Sequence, residues 1–202
     1  MEATVPTNRA YHHGDLRAAL IAASFDLLAE SGLRRFSVAA VARRLQVSSA
    51  APYRHFADRN QLLNAVSAAA AEDLGAAIKA AADTAGSDPA DRLAAAAGAY
   101  VRHVTATGAG FHVIFAAELY AIADDARREH TRALMTTLLD LAAATGTGSY
   151  QETVLLVEAT IAVAHGYTSL HADGFFARKA STVDDIAARA VEAARVLVPA
   201  RL

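Results

Sequence analysis

Apolar residues recur along this chain at spacings of three and four and almost nowhere at two, so the periodicity is that of helices rather than strands. Leu16, Leu20, Ala23, Leu27 and Leu28 form one stripe. They predict a first helix from about Asp15 to Ser31, closed by Gly32. Val38, Val41, Ala42 and Leu45 repeat the spacing in a short second helix behind Ser37, whose hydroxyl suits an N-cap. Gln46, Val47 and Ser48 make a break of turn length before a third short helix, about Ser49 to Phe56. Pro52 fits such a helix only in its first turn. Asp58 can cap a fourth helix that continues through Leu62 and Leu63 to near Ala82. After a joint at Thr84 to Ser87, Asp88 and Pro89 read as N-cap and N1 of a fifth helix ending at Gly108. Four further helices are expected: Phe111 to Leu119, Asp125 to Thr145 closed by Gly146, a long apolar one from Gln151 to about Ala172, and an amphipathic one from Thr182 to Val198 before Pro199. Residues 1–13 are polar and aperiodic and are expected to be mobile.

Composition agrees with an all-α fold. The 54% hydrophobic content is largely alanine and leucine, both strong helix formers. Without cysteine there is neither a disulfide framework nor a thiolate metal site. The N-terminus has no apolar core of a secretory signal, and no uncharged apolar run reaches the roughly eighteen residues of a bilayer span. The expectation is a soluble cytoplasmic protein without membrane contact. Net charge is only −2, but its distribution is uneven. Through residue 63 eight arginines face five carboxylates, a net of +3, while the remainder holds eleven cations against sixteen anions. A basic head on an acidic body suggests that the head meets phosphate.

Two short helices joined by a tight turn after a longer helix describe a helix-turn-helix. Ala42 is small where the two short helices must approach. Val41, Leu45, Val47 and Phe56 can form the little core that sets their angle. Ser49, Ala50 and Ala51 would let the third helix enter a major groove, where alanine methyls can touch a thymine methyl. Tyr53, Arg54, His55 and Arg59 supply donors for flanking phosphates. Ser37 and Ser48 stand at expected helix N-termini, which favour an anion. The domains expected are 1–66 for DNA binding, with its last helix running on as a connector, and 67–202 for ligand binding and dimerisation.

The stretch SVAAVARRLQVSSAAPYRHFADRNQLL, residues 37–63, resembles the TetR family of bacterial regulators, and the match extends over about residues 15–66. The resemblance implies an all-helical homodimer that binds a palindromic operator, usually as a repressor released by a small ligand. It also implies DNA contacts from Ser37, Ser49, Ala50, Ala51, Tyr53, His55 and Arg59. Gln46 stands where glycine is common in this turn, Pro52 where leucine is usual, and Arg59 where lysine is frequent. YHHGDLR near the start, FHVIFAAEL and AVAHGYTSLHADG resemble a subgroup named for a Trp-His-Gly in its C-terminal domain. Here that tripeptide is Ala164, His165 and Gly166, and the chain has no tryptophan.

In the body, Tyr100, His103, Phe111, Phe115, Met135 and His165 are candidates to line a pocket for an unknown small-molecule effector, being mostly apolar with a few polar groups. Aromatics at helical spacing are also ordinary core filling. His12, His13, His103, His112 and His130 show no i, i+4 pair backed by a carboxylate, so no metal site and no cofactor are expected. Glu158, inside VLLVEATIAV, lies either at an exposed edge or in a pocket or dimer seam. The helices at about 151–172 and 182–198 carry more apolar surface than a small body buries, which predicts a homodimer through them. No GxSxG, HExxH or phosphate loop is present, so an enzyme is not expected. The competing reading is an architectural DNA binder without an effector.

Overall fold

Helices in this protein start where a short polar side chain can take up a free backbone N–H. A computed structural model describes residues 15–177 and 181–198; the expected mobile segment 1–13, His12 and His13 within it, and Pro199 lie outside the described residues. In α1, Leu16–Ser31, Asp15 accepts from the N–H of Ala18 at 2.9 Å, and Gly32 ends the helix at φ +71°. In α2, Val38–Arg44, Ser37 accepts from Ala40 at 3.2 Å. Asp58 caps α3, Arg59–Thr84, and Asp88 caps α4, Pro89–Thr107, with Pro89 at its first position. The remaining helices are α5, Phe111–Ile114; α6, Asp125–Ala143; α7, Tyr150–Ala172; and α8, Val183–Val196, entered through a reciprocal cap between Thr182 and Asp185. All regular elements among the described residues are helical.

Two expected helices take another form. Between Ser48 and Phe56 there is no α-helix: the N–H of Ala51 bonds to Ser48 O, and a 3-10 turn follows at Pro52–Arg54. Pro52 has no N–H to give to an α-helical ladder, and its own carbonyl takes the N–H groups of both His55 and Phe56. The segment Phe111 to Leu119 breaks into α5 and a 3-10 turn at Ala117–Leu119. Its neighbours supply the missing partners. Ser67 of α3 donates to Ile114 O at 2.8 Å, and Arg127 of α6 donates to Leu119 O at 3.0 Å.

The end of α2 sets the turn of the helix-turn-helix. Val47 N–H bonds to Ala42 O, and Gln46 N–H to Arg43 O, the paired bonds of a Schellman cap. That cap requires a left-handed residue, and Gln46 takes the role at φ +56°, the sole non-glycine with positive φ among the described residues. A side chain here costs about 1–2 kcal/mol, partly offset by the entropy a glycine would lose. Gln46→Gly is therefore expected to stabilise the protein by about 0.5–1 kcal/mol. Urea unfolding checks this, and a lower midpoint would refute it.

α1, α2, the Ser48–Phe56 turn and the first turns of α3 form a small N-terminal bundle. The rest of α3 packs with α4, α6, α7 and α8 in a larger body in which α8 lies along α4. One connected apolar core runs through both, from Leu20 and Phe56 to Ile186 and Val198. α3 threads it with Leu62, Leu63, Leu74 and Ile78, all fully buried. Head and body also meet at Gly108, left-handed at φ +65°, which closes α4 directly against the α1 backbone. A Cβ there would lie 2.3 Å from Ala29 N and 2.4 Å from the Leu28 carbonyl carbon. Among the described residues α7 alone is long and apolar enough to cross a membrane. It carries Glu152 and Glu158, packs on α4, α6 and α8 along one side and leaves the other exposed.

Candidate nucleic-acid interface and effector pocket

Small and donor side chains gather on one exposed edge of the head. Pro52 and Phe56 are buried and anchor the 3-10 turn, which leaves Ser48, Ser49, Ala50, Tyr53, Arg54 and His55 exposed and Ala51 half-buried. Tyr53 is 54% exposed, too much for a core residue of its size. Ser37 is half-buried and its oxygen is occupied by the cap of α2. Ser48 stands in a turn, not at the helix N-terminus expected of it, because its carbonyl closes the bond from Ala51.

Arg59 points inward. Its Nε donates to Phe36 O at 3.2 Å, Nη1 donates to Glu118 at 2.7 Å and to the Asn60 side chain at 3.4 Å, and Nη2 donates to Leu33 O at 3.4 Å. The guanidinium also lies 5.6 Å from the centre of the Phe36 ring. It clips the Leu33–Phe36 loop and the start of α3 to the 3-10 turn carrying Glu118. Arg44 is likewise engaged, by Asp26 at 3.6 Å and by Glu30. Arg17, Arg34, Arg35, Arg43 and Arg54 are exposed and pair with no carboxylate among the described residues. Arg17 stacks over the Phe56 ring at 5.3 Å, which holds its charge beside the turn. Of these five, the sequence pattern singles out only Arg54. Arg34 and Arg35 stand out as an adjacent pair, but which arginines lack a partner shows only once the chain is folded.

In the body four of the six pocket candidates come together. Tyr100 stacks on Phe111 at 5.4 Å, Phe111 on Phe115 at 5.4 Å, and the Tyr100 hydroxyl bonds to Nδ1 of His165 at 3.0 Å. The same hydroxyl accepts from the N–H of Phe111 at 3.3 Å. Burial pushes the Tyr100 phenol above its usual pKa, against that bond from Phe111. The space between Tyr100, Phe111, Ile78, Leu138 and Thr160 is only about 10 Å³, room for no more than a water. His103 is elsewhere. Its Nε2 is buried without a hydrogen-bond partner, and burial holds it below the usual histidine range despite Asp73. Met135 is half-buried on α6 and packs against the core. Glu158 is exposed on α7, on the outer side with Leu155. No cluster of three or more metal-ligating side chains occurs among the described residues.

Larger spaces open elsewhere. One, of about 450 Å³, lies between the start of α7 and the end of α8, bordered by Leu155, Leu156, Ala159 and Leu197. Leu155 is 65% exposed and Leu197, which borders the same space from the end of α8, 36%, so α7 and α8 present an uncovered apolar strip. A second, of about 470 Å³, lies where α1, α4, α5 and α7 meet.

The family model described as bacterial regulatory proteins, tetR family, matches residues 20–66, and that described as tetracyclin repressor-like, C-terminal domain, matches residues 93–194. No curated protein sequence matches the chain. Among solved structures, a protein of unknown function from Rhodococcus sp. RHA1 is 29% identical, covers 95% of this chain and 100% of its own, and superposes with a TM-score of 0.69. A transcriptional regulator from the same strain is 22% identical over 91% of this chain and 95% of its own, with a TM-score of 0.63. RolR, solved in complex with the ligand resorcinol, is 22% identical over 92% of this chain and 88% of its own, at 0.56.

Proposed function

The chain belongs to the TetR family of bacterial regulatory proteins, and from that premise we propose that it is a cytoplasmic homodimeric repressor which binds a palindromic operator and is released by a small-molecule effector. One observation carries the reading: the exposed edge from Ser48 to His55, small at its tip, carrying Arg54 and with Arg17 held beside it over Phe56, neither paired with a carboxylate among the described residues. The tip enters the major groove through Ser49, Ala50 and Ala51, while Tyr53, Arg54 and His55 contact the backbone beside it. Arg17, Arg34, Arg35 and Arg43 join them as phosphate contacts. Arg59 positions the head. Residues 1–66 serve DNA binding and 67–202 serve effector binding and dimerisation, with α3 shared between them. Within the family, the segments around Phe111 and His165 favour the Trp-His-Gly subgroup, with Ala164 buried in the tryptophan position.

The uncovered strip of α7 and α8 supports dimerisation through those helices. Two heads would then meet successive major grooves about 34–36 Å apart. Leu155→Glu places a charge in that seam without disturbing the monomer core, and is expected to weaken dimerisation at least about tenfold. Light scattering across a dilution series checks this, and an unchanged dimer would exclude α7 from the interface.

The function is tested by genome-wide footprinting of the purified protein, followed by gel shifts on the best site over a range of salt. A compact palindrome is expected, with affinity falling steeply with salt because of the arginines. Base substitution opposite Ala50 and Ala51 should show dependence on thymine methyls rather than on strict G·C pairs. Diffuse, sequence-tolerant binding would favour an architectural protein.

A further inference from the structure

The aromatic column is closed, so an effector in this conformation needs another place, and the cleft of about 470 Å³ at the head–body junction is large enough for a metabolite. It is bounded by Ala29 of α1, Val104 and Thr105 at the end of α4, His112 of α5, and His165 and His171 of α7. Three imidazoles face it, and no carboxylate lines it among the described residues.

Two of these groups have bonding capacity to spare. Thr105 Oγ1 is buried with no hydrogen-bond partner. The Tyr100 hydroxyl, which accepts from Phe111, has His165 Nδ1 as the acceptor for its proton. A buried phenol proton left without an acceptor is costly, so Nδ1 accepts and neutral His165 carries its own proton on Nε2. Nε2 is therefore a fixed donor, and protonation of His112 beside it adds charge. Their rings are 6.1 Å apart. Burial, then the neighbouring His165, hold His112 below the usual histidine range, against a bond to the Gly108 backbone. Among the described residues the titratable groups that share the cleft with His112 are His165, which faces it directly, and His171, both of α7; α1 contributes only Ala29 to the lining.

Donors without counter-charge select an anion. The absence of arginine and lysine from the lining argues against a dianion such as phosphate, and the apolar floor of Ala29 and Val104 calls for a carbon skeleton. We propose that this cleft is the effector site and that it takes a small organic monocarboxylate, held by Thr105, His112 and His165 against the first helix of the head. The inference rests on the reading of the chain as an effector-released regulator. It gives that release a direct route, because a ligand touching both Ala29 and α7 binds differently when the head shifts.

Calorimetry on the full-length protein with benzoate and hexanoate, each at pH 6 and pH 8, tests it. Benzamide and inorganic phosphate serve as the neutral and dianionic contrasts. A bound anion raises the pKa of His112, which burial otherwise holds low, so binding takes up a proton there. Affinity is full at the lower pH and lost as pH rises through the raised value, by up to about tenfold per unit for one proton. The expected result is carboxylate binding that is tighter at pH 6 and weakened at least about tenfold by His165→Gln and by Thr105→Val, with circular dichroism confirming each fold. Benzamide binding as well as benzoate, no binding of either carboxylate at millimolar concentration, or insensitivity to both substitutions would overturn the site. A sharp operator footprint without carboxylate binding overturns the site alone. A footprint that persists while benzoate saturates the cleft overturns its effector role, whereas diffuse binding in the footprinting experiment overturns the regulator reading itself.

Discussion

Gly108→Ala is expected to destabilise the protein by about 2–5 kcal/mol and to loosen the head on the body. Two effects combine at this position. A side chain in the left-handed conformation costs about 1–2 kcal/mol. The new Cβ would also stand 2.3 Å from Ala29 N, where the obstacle is backbone and cannot rotate away. Forcing the junction apart adds about 1–3 kcal/mol or more. Gly174→Ala separates the two contributions, since Gly174 is also left-handed, at φ +76°, where it closes α7 with the same kind of cap, but a Cβ there would meet nothing within 4 Å. Gly174→Ala should therefore show the strain alone. Parallel urea titrations followed by circular dichroism provide the comparison, and equal losses for the two variants would mean that the close approach to α1 carries no energy.

Arg59→Lys is the second large effect, and it separates two roles that a single cation could fill. A phosphate contact would tolerate lysine, which keeps the charge and the reach. The geometry calls for the planar fork: Nε, Nη1 and Nη2 bond to Phe36 O, Glu118 and Leu33 O, and lysine can replace only one of those bonds. With the side chain about one-third exposed, Arg59→Lys is expected to cost about 1–3 kcal/mol, discounted for solvent screening. Operator affinity should fall through misplacement of the Leu33–Phe36 loop, with the slope of affinity against salt little changed. A stable variant with a slope reduced by about one would assign Arg59 to phosphate instead.

What the residues make legible is local. Asp15, Ser37, Asp58, Asp88 and Thr182 each mark a helix start because capping needs only a short polar side chain and the next turn. Gly32 and Gly108 mark helix ends for an equally local reason. The all-α fold and the exposed edge of the head follow from this punctuation together with the helical period. Where partners distant in sequence decide, the residues say less. The break after Ile114 depends on Ser67, 47 residues away in the chain. Arg59 reads as a phosphate contact in the sequence because its carbonyl partners and Glu118 cannot be inferred from spacing. The aromatic residues of the body can be grouped by type, but whether Tyr100 and Phe111 enclose a space or fill one depends on their packing. Pro52 is a partial case. Its missing N–H is plain in the sequence, but the surrounding pattern favours an α-helix where a 3-10 turn forms.

The length of α3 has a mechanical consequence. Its 26 residues make a rod of about 39 Å, fixed in the body by Leu74 and Ile78 and carrying the head at its other end. A tilt of about 5° at the body end would sweep the far end by about 3.4 Å. In a symmetric dimer the two sweeps oppose each other, so the separation of the reading heads would change by about 7 Å, a large fraction of the groove width of about 12 Å. In the proposed dimer, a body movement smaller than the diameter of a water molecule at the level of Leu74 would thus be enough to put the two heads out of step with the DNA repeat.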